Sequence, residues 1–386
     1  MEKPEKMIPL FQVYMHPGVG EKVEKTLMSG YIGQGPEVDK FEDLLKDVFQ
    51  TPYVVTVNSA TSATHLAFSM ICRQEPGPDW KGISPGDEVL TTPLTCTATN
   101  WPALANGLNI KWVDVDPETC NMDLDDLENK ITEKTKVILA VHWGGYPNDI
   151  DRIKSIIENC YNKYGFRPKL IEDCAHSFGS EYKGSPVGTT DYAFYSFQAI
   201  KHFTTVDGGV LILPNEEEYR RAKLLRWYGI DRESNRKDFR CEDDIPEWGF
   251  KFHMNDVNAV IGMHNLQNAK NIVDKHVDNA KFYDENLKNI SGLTLMKRHS
   301  DYKSAFWIYT VRVDDQEKFM QKMKECNIMV SRVHERNDKH SCVQAFRSEL
   351  PQLDKLVGEM ICIPVGWWVT REQQQYIVDC IKEGWQ

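Results

Sequence analysis

The feature that most constrains this chain is an alternation. Between residues 53 and 214, short apolar runs rich in Val, Ile, Leu and aromatics are separated by polar, helix-like stretches. The runs are Tyr53–Val57, Glu88–Thr92, Ile110–Val115, Val137–Val141, Lys169–Glu172, Asp191–Phe197 and Gly208–Leu213. Each has the length of one strand and ends at turn or cap residues. Leu124–Ile131 and Ile150–Tyr161 carry helical spacing, and the second follows Pro147-Asn148-Asp149, a helix-start signal. A repeated strand, helix, strand order favours strands paired in parallel, with helices covering both faces of the sheet. Crossovers in such α/β sheets are right-handed, and ligands collect at the carboxyl ends of the strands. The runs therefore predict a mostly parallel, seven-stranded sheet.

Beyond this region, residues 215–230 read as a helix carrying Arg220, Arg221, Lys223 and Arg226. Residues 231–249 are charged and unpatterned and read as a long loop, a frequent home of function. A helix is expected from Asp256 through the 270s. From about residue 277 helices and strands alternate in the manner of a smaller α+β unit, giving a large domain over 1–275 and a small one over 276–386. With 41% hydrophobic residues in 386, the chain can fill one large core and a second, smaller one.

Charge narrows the partners. Asp and Glu exceed Lys and Arg by 57 to 46, a net charge of -11. Nucleic-acid binding needs a basic face, so no nucleic acid is expected as partner. A small anionic substrate is compatible, because a few cations can line one cleft. No apolar run reaches the length of a membrane span, so no membrane is expected either. The opening MEKPEKMIPLF has no apolar stretch like that of a signal peptide. The ten cysteines are scattered with no CxxC pair, which fits free thiols and a cytoplasmic location. Ligand spacings for a metal site are missing, and none is expected.

Three segments carry chemistry. In EDCAH (172–176), Glu172 and Asp173 follow an apolar strand directly, where ligands bind; a helix cap or a solvated turn explains them equally well. In YSFQAIKHFTTVDGG (195–209), Lys201 lies between two strands. It is either a surface charge or, at the ligand edge among aromatics, a desolvated neutral amine able to form a Schiff base. An aspartate opposite such a lysine points to pyridoxal phosphate, whose ring nitrogen needs an anionic partner. In NSATSATHLAF (58–68), small residues open a helix after the first strand. Backbone N–H groups there can hold a phosphate, although many capped helices begin the same way. His65 within it reads as a packed or capping histidine, and His142 as either a site residue or a core hydrogen bond.

Taken in order, these segments resemble the DegT/DnrJ/EryC1/StrS sugar aminotransferases, within the fold-type I pyridoxal phosphate enzymes. The likeness begins at SGYIGQGPEVDKFE (29–42), runs through PGDEV, TATNWPALANG, DVDPETCNMD and KTKVILAVHWGGYP, and ends strongly at GFKFHMNDVNAVIG (249–262). The resemblance implies a pyridoxal phosphate aldimine on Lys201, which would also move the proton during amine transfer. Asp173 would pair with the ring nitrogen and His176 would stand near the 3-hydroxyl. Ser196, Ala60 and Thr61 would bind the phosphate. Lys251 would reach the phosphate of a neighbouring subunit, implying a homodimer with composite active sites. Gly30, Tyr31 and the 231–249 loop would contact the substrate.

The chain also departs from the family pattern. Cys96 stands where an aromatic often stacks on the cofactor ring. His253 replaces a common Arg at a substrate or phosphate contact, and Val206-Asp207 replaces Gly-Glu. His334, Arg336 and His340 lie in SRVHERNDKHS (331–341), which differs from the family's His-Tyr-x-Pro-Leu-His; they are substrate contacts or a solvated loop. The implied reaction moves an amino group from an amino acid donor, glutamate, to a nucleotide-sugar substrate. The expected acceptor is a 4-keto-6-deoxyhexose, giving a 4-amino-4,6-dideoxy sugar such as viosamine or perosamine. The alternatives are a 3-keto nucleotide sugar, a free keto sugar acid, and a binding or regulatory protein on the same fold.

Overall fold

The computed structural model describes residues 3–30, 32–189, 191–234 and 244–385. Seven strands form the central sheet: β1 (Val54–Val57), β2 (Glu88–Thr91), β3 (Asn109–Trp112), β4 (Thr135–Val141), β5 (Lys169–Asp173), β6 (Tyr192–Ser196) and β7 (Gly209–Ile212). Their order is β1-β7-β6-β5-β4-β2-β3. The contacts from β6 to β3 are all parallel, and β7 runs antiparallel to both its neighbours. Each strand overlaps the run that predicted it. The α/β reading therefore holds, with β7 as the antiparallel member.

The physical cause is visible in β4, where every residue is buried. Val137 and Leu139 join one apolar core, while Ile138 and Ala140 join another on the opposite face. A strand buried on both sides cannot alternate apolar with polar, and so it reads as a continuous apolar run. Helices cover both faces: α2 (Pro36–Phe49), α3 (Ala60–Cys72), α4 (Thr97–Ala105), α5 (Leu124–Lys130), α6 (Ile150–Tyr164) and α7 (Glu216–Leu225), while α1 (Val19–Met28) lies outside these layers with no buried residue. Asp149 accepts a hydrogen bond from Arg152 N at the start of α6, as its sequence signal predicted.

The helix expected from Asp256 is α8 (Asp256–Asn286), 31 residues long. The seam expected at 275/276 falls inside it. Ala259, Ala269 and Val273 pack with sheet residues, whereas Ala280 and Tyr283 pack with the C-terminal unit. That unit contains an antiparallel sheet of β8 (Leu293–Leu295), β9 (Tyr309–Val313) and β10 (Met360–Ile363). It also holds α9 (Gln316–Glu325), α10 (Pro351–Glu359) and α11 (Arg371–Lys382). Trp385 is buried there against Phe319.

Candidate active site

The carboxyl ends of the parallel strands open into a cavity of about 300 Å³. Asp173, the last residue of β5, and Ser196, the last of β6, reach it from below. The N-terminus of α3 brings Ala60 and Thr61, and the N-cap of α4 brings Cys96. Lys201 enters from the turn between β6 and β7, His176 from the turn after β5, and His334 from the C-terminal unit. Eight of the residues singled out in the sequence thus share one cavity.

The approach of α3 depends on one glycine. A Cβ on Gly209 would fall 2.6 Å from Ala60 N. No side chain fits at that spacing, so the first strand residue after the lysine turn is the one that lets the helix end come close.

Asp173 is 3% exposed. Burial raises its pKa, opposed by donors to both oxygens: Thr99 Oγ1 at 2.6 Å and Ala175 N at 2.9 Å. Burial pushes the Lys201 amine down to about 8, with Asp173 and Cys96 acting in the other direction. About a tenth to a fifth of the amine is therefore neutral near physiological pH, far more than for an ordinary lysine. His176 is held well below the usual imidazole range by burial, and His334 is lowered to about 3 for the same reason. Both rings are neutral. His176 Nδ1 and His334 Nε2 are buried with no protein hydrogen-bond partner, so each leaves a polar position for a ligand to fill.

Glu172, next to Asp173, faces elsewhere. Asn148 N donates to His142 Nδ1, and His142 Nε2 donates to Glu172 Oε2 at 3.1 Å. Of the two readings of His142, the core hydrogen bond is the one realised. His142, Glu172 and Cys174 place ligand-type atoms within 4.8 Å of one another, yet both imidazole nitrogens are already engaged within the protein.

The remaining predicted residues gather around Trp227. The His253 ring stacks on it at 3.6 Å, and Lys251 Nζ lies 5.5 Å from its centroid. Gly30 and Trp227 line a separate cleft of about 830 Å³. Tyr31 and part of the 231–249 loop lie outside the described residues. Arg336 is brought to neither group: it is tied bidentately to Asp338 at 2.7 Å and also pairs with Asp354.

Of the cavity residues that sequence reasoning did not single out, two matter most. Thr99 lies in the quoted TATNW stretch, but its bond to a carboxylate 74 positions away has no sequence signal. Trp307, 2% exposed, places its ring centroid 3.6 Å from Lys201 Nζ and 4.0 Å from the His176 ring.

An amine of lowered pKa, a held carboxylate and a helix N-terminus in one cavity form a transaminase arrangement. The family model for DegT/DnrJ/EryC1/StrS aminotransferases matches residues 17–382. The chain belongs to that family. Its members are pyridoxal phosphate-dependent transaminases of sugars. Among solved structures, AtS13 from Actinomadura melliaura is 46% identical with a TM-score of 0.94, covering 99% of this chain and 100% of its own. The sugar aminotransferase CalS13 from Micromonospora echinospora is 43% identical with a TM-score of 0.93, covering 98% and 100%. The UDP-4-amino-4-deoxy-L-arabinose–oxoglutarate aminotransferase of Shewanella sediminis is 30% identical, covering 79% of this chain and 77% of its own. The fold is thus the fold-type I arrangement that the sequence implied.

The cavity fits pyridoxal phosphate. It offers an amine, an anion, a helix end for a phosphate, and an unpartnered imidazole nitrogen on His176. Among the described residues no helix is long and apolar enough to cross a membrane, and the nine cysteines are free.

Proposed function

We propose that this aminotransferase holds pyridoxal phosphate covalently on Lys201 and moves an amino group from L-glutamate to a nucleotide-linked sugar. The acceptor is a 4-keto-6-deoxyhexose, and the product a 4-amino-4,6-dideoxy sugar. One observation carries the assignment of the chemistry: Lys201, Asp173 and the unpartnered His176 Nδ1 meet in a single cavity. Carbon 4 and a nucleotide-linked acceptor are supported by the Shewanella relative, whose name carries a UDP-linked 4-amino sugar and oxoglutarate, the keto acid that glutamate becomes on giving up its amine.

The bound cofactor supplies an aldehyde and an electron-accepting ring. Each cavity residue then has a task. Lys201, whose hold on its proton is weakened by burial, would hold the cofactor's aldehyde and serve as the base and acid that moves the proton during amine transfer. Asp173, fixed by Thr99 and Ala175, presents a negative charge to the ring nitrogen. Ala60, Thr61 and Ser196 receive the phosphate at the positive end of α3. The unpartnered nitrogen of His176 would bond to the ring hydroxyl, and that of His334 would be offered to the substrate. Cys96, in place of an aromatic, would border the ring.

Lys251, Gly30 and His253 act in the partner's cavity in this reading, so the working unit is a homodimer. Two observations support it: Lys251 is exposed and outside its own chain's cavity, and Ile32 and Tyr228 expose apolar surface close by. We take 1–275 and 276–386 as the two folding units that close over the site.

The test combines spectrum and product. The loaded protein should absorb in the visible, lose that band on adding glutamate, and carry a borohydride-fixed pyridoxyl group on Lys201. A panel of 4-keto and 3-keto nucleotide sugars, read by mass, assigns the acceptor. A protein that takes up no cofactor refutes the chemistry; amination of only 3-keto sugars refutes the acceptor.

A further inference from the structure

We propose that Trp307 is a positioning residue of the transamination site, aiming the Lys201 amine and coupling it to the C-terminal unit. This rests on the proposed role of Lys201. The indole is clamped rather than merely packed. Its Nε1 donates to Ile200 O at 2.9 Å, one residue from the lysine, and its backbone N donates to Gly144 O at 3.0 Å. The two preceding residues are held as firmly. Ala305 N donates to Ser180 Oγ, while His202 Nε2 donates to Ala305 O and His276 Nδ1 to Phe306 O, both at 2.8 Å.

Phe306 sits at φ +49, a left-handed backbone that a bulky side chain adopts only where its surroundings impose it. The Gly144-Gly145 turn makes room: a Cβ on Gly145 would lie 3.3 Å from Phe306 N and 2.8 Å from His176 O. The fold thus spends backbone strain and a double-glycine turn to bring one indole face 3.6 Å from the amine. An aromatic face favours an ammonium and shuts out water. The other groups that interact electrostatically with the amine are Asp173, Cys96, His176, His202 and His334. The three imidazoles are neutral, which leaves Trp307 beside Asp173 and Cys96 as the groups that stabilise the charge directly.

The test uses Trp307→Leu and Trp307→Phe in the pyridoxamine phosphate form, where the amine is free. Competitive acylation of Lys201 across pH, read by peptide mass, gives its midpoint. Leu keeps the burial and removes the ring face, so the midpoint should fall by about 0.5–1.5 units. Phe should keep it within about 0.3 units. The glutamate half-reaction should lose about tenfold or more in kcat for Leu, with KM little changed. If folded, cofactor-loaded Trp307→Leu keeps the parental midpoint and kcat, Trp307 only packs and the proposal fails. If Leu and Phe both collapse on heating, Trp307→Tyr replaces them with the same two readouts. Absence of a borohydride-fixed group on Lys201 in the parent would refute the cofactor assignment instead, a separate outcome.

Discussion

The Lys201 cavity and the Trp227 cluster were both marked in the sequence, by different segments, and they are built differently. The cavity buries its charges: Asp173 is 3% exposed, and burial dominates the shifts of Asp173, Lys201 and His176 alike. The cluster keeps Lys251 exposed and spreads along an open cleft. His253, stacked on Trp227, has its pKa lowered to about 4 by burial and by nearby Lys251, Arg226 and Arg232. Burial tunes reactivity within one chain, so the cavity carries its own chemistry. An exposed cation beside apolar surface is suited to recognition across an interface, the role we give the cluster.

The sharpest way to break this contrast is Lys201→Ala. It should cost at least about 10³-fold in glutamate half-reaction rate, read by the cofactor spectrum. Substantial residual transamination would move the chemistry out of the cavity. Next comes the pair of neighbouring carboxylates. Asp173→Asn should lower kcat about 10²-fold, whereas Glu172→Gln should act on stability through His142 and leave kcat within about threefold. Equal losses would mean that the wrong carboxylate has been chosen.

The lysine's environment makes a third prediction. Only the neutral amine attacks an aldehyde, so cofactor uptake by the cofactor-free protein should rise about tenfold per pH unit and level off above about 8. Uptake independent of pH from 6 to 9 would mean that burial does not control the amine. The same shift bears on stability. Because the folded pKa lies below that of the unfolded chain, the unfolded state binds the extra proton between about 8 and 10.5. The amine's destabilising effect should therefore be complete below 8 and vanish by 10.5.

The smallest effect tests the cluster itself. Mixing Lys201→Ala with Lys251→Ala chains under exchange should restore about a quarter of parental activity, if each site draws one residue from each chain. No recovery, or sedimentation of the active protein as a monomer, would return Lys251 to its own chain.

How far the sequence reached depended on the range of each interaction. Strand–helix alternation, the cap at Asp149 and the helix opening after Asn255 are local, and the structure repeats them. The ligand edge was also predictable, because parallel strands align their carboxyl ends; that brought Asp173, Ser196 and Lys201 to one cavity. Residues whose roles depend on distant partners were harder. His142 had two readings until Glu172 was seen to accept its hydrogen bond. Arg336 was grouped with His334 by proximity in sequence, but Asp338 and Asp354 hold it away from the cavity. Asn337, one residue on, bonds instead to Thr95 O and Asn100, anchoring the segment that carries His334 over the cavity.

The sequence by itself determined the layered α/β architecture and the chemical kinds of group at the strand ends, because periodicity and turn chemistry act over a few residues. Only the tertiary structure decided which of those groups lose water, which carboxylate of two faces the amine, and that an indole from the C-terminal unit covers it. Desolvation and ring contacts are made between segments tens to hundreds of residues apart, and they exist only once the chain has packed.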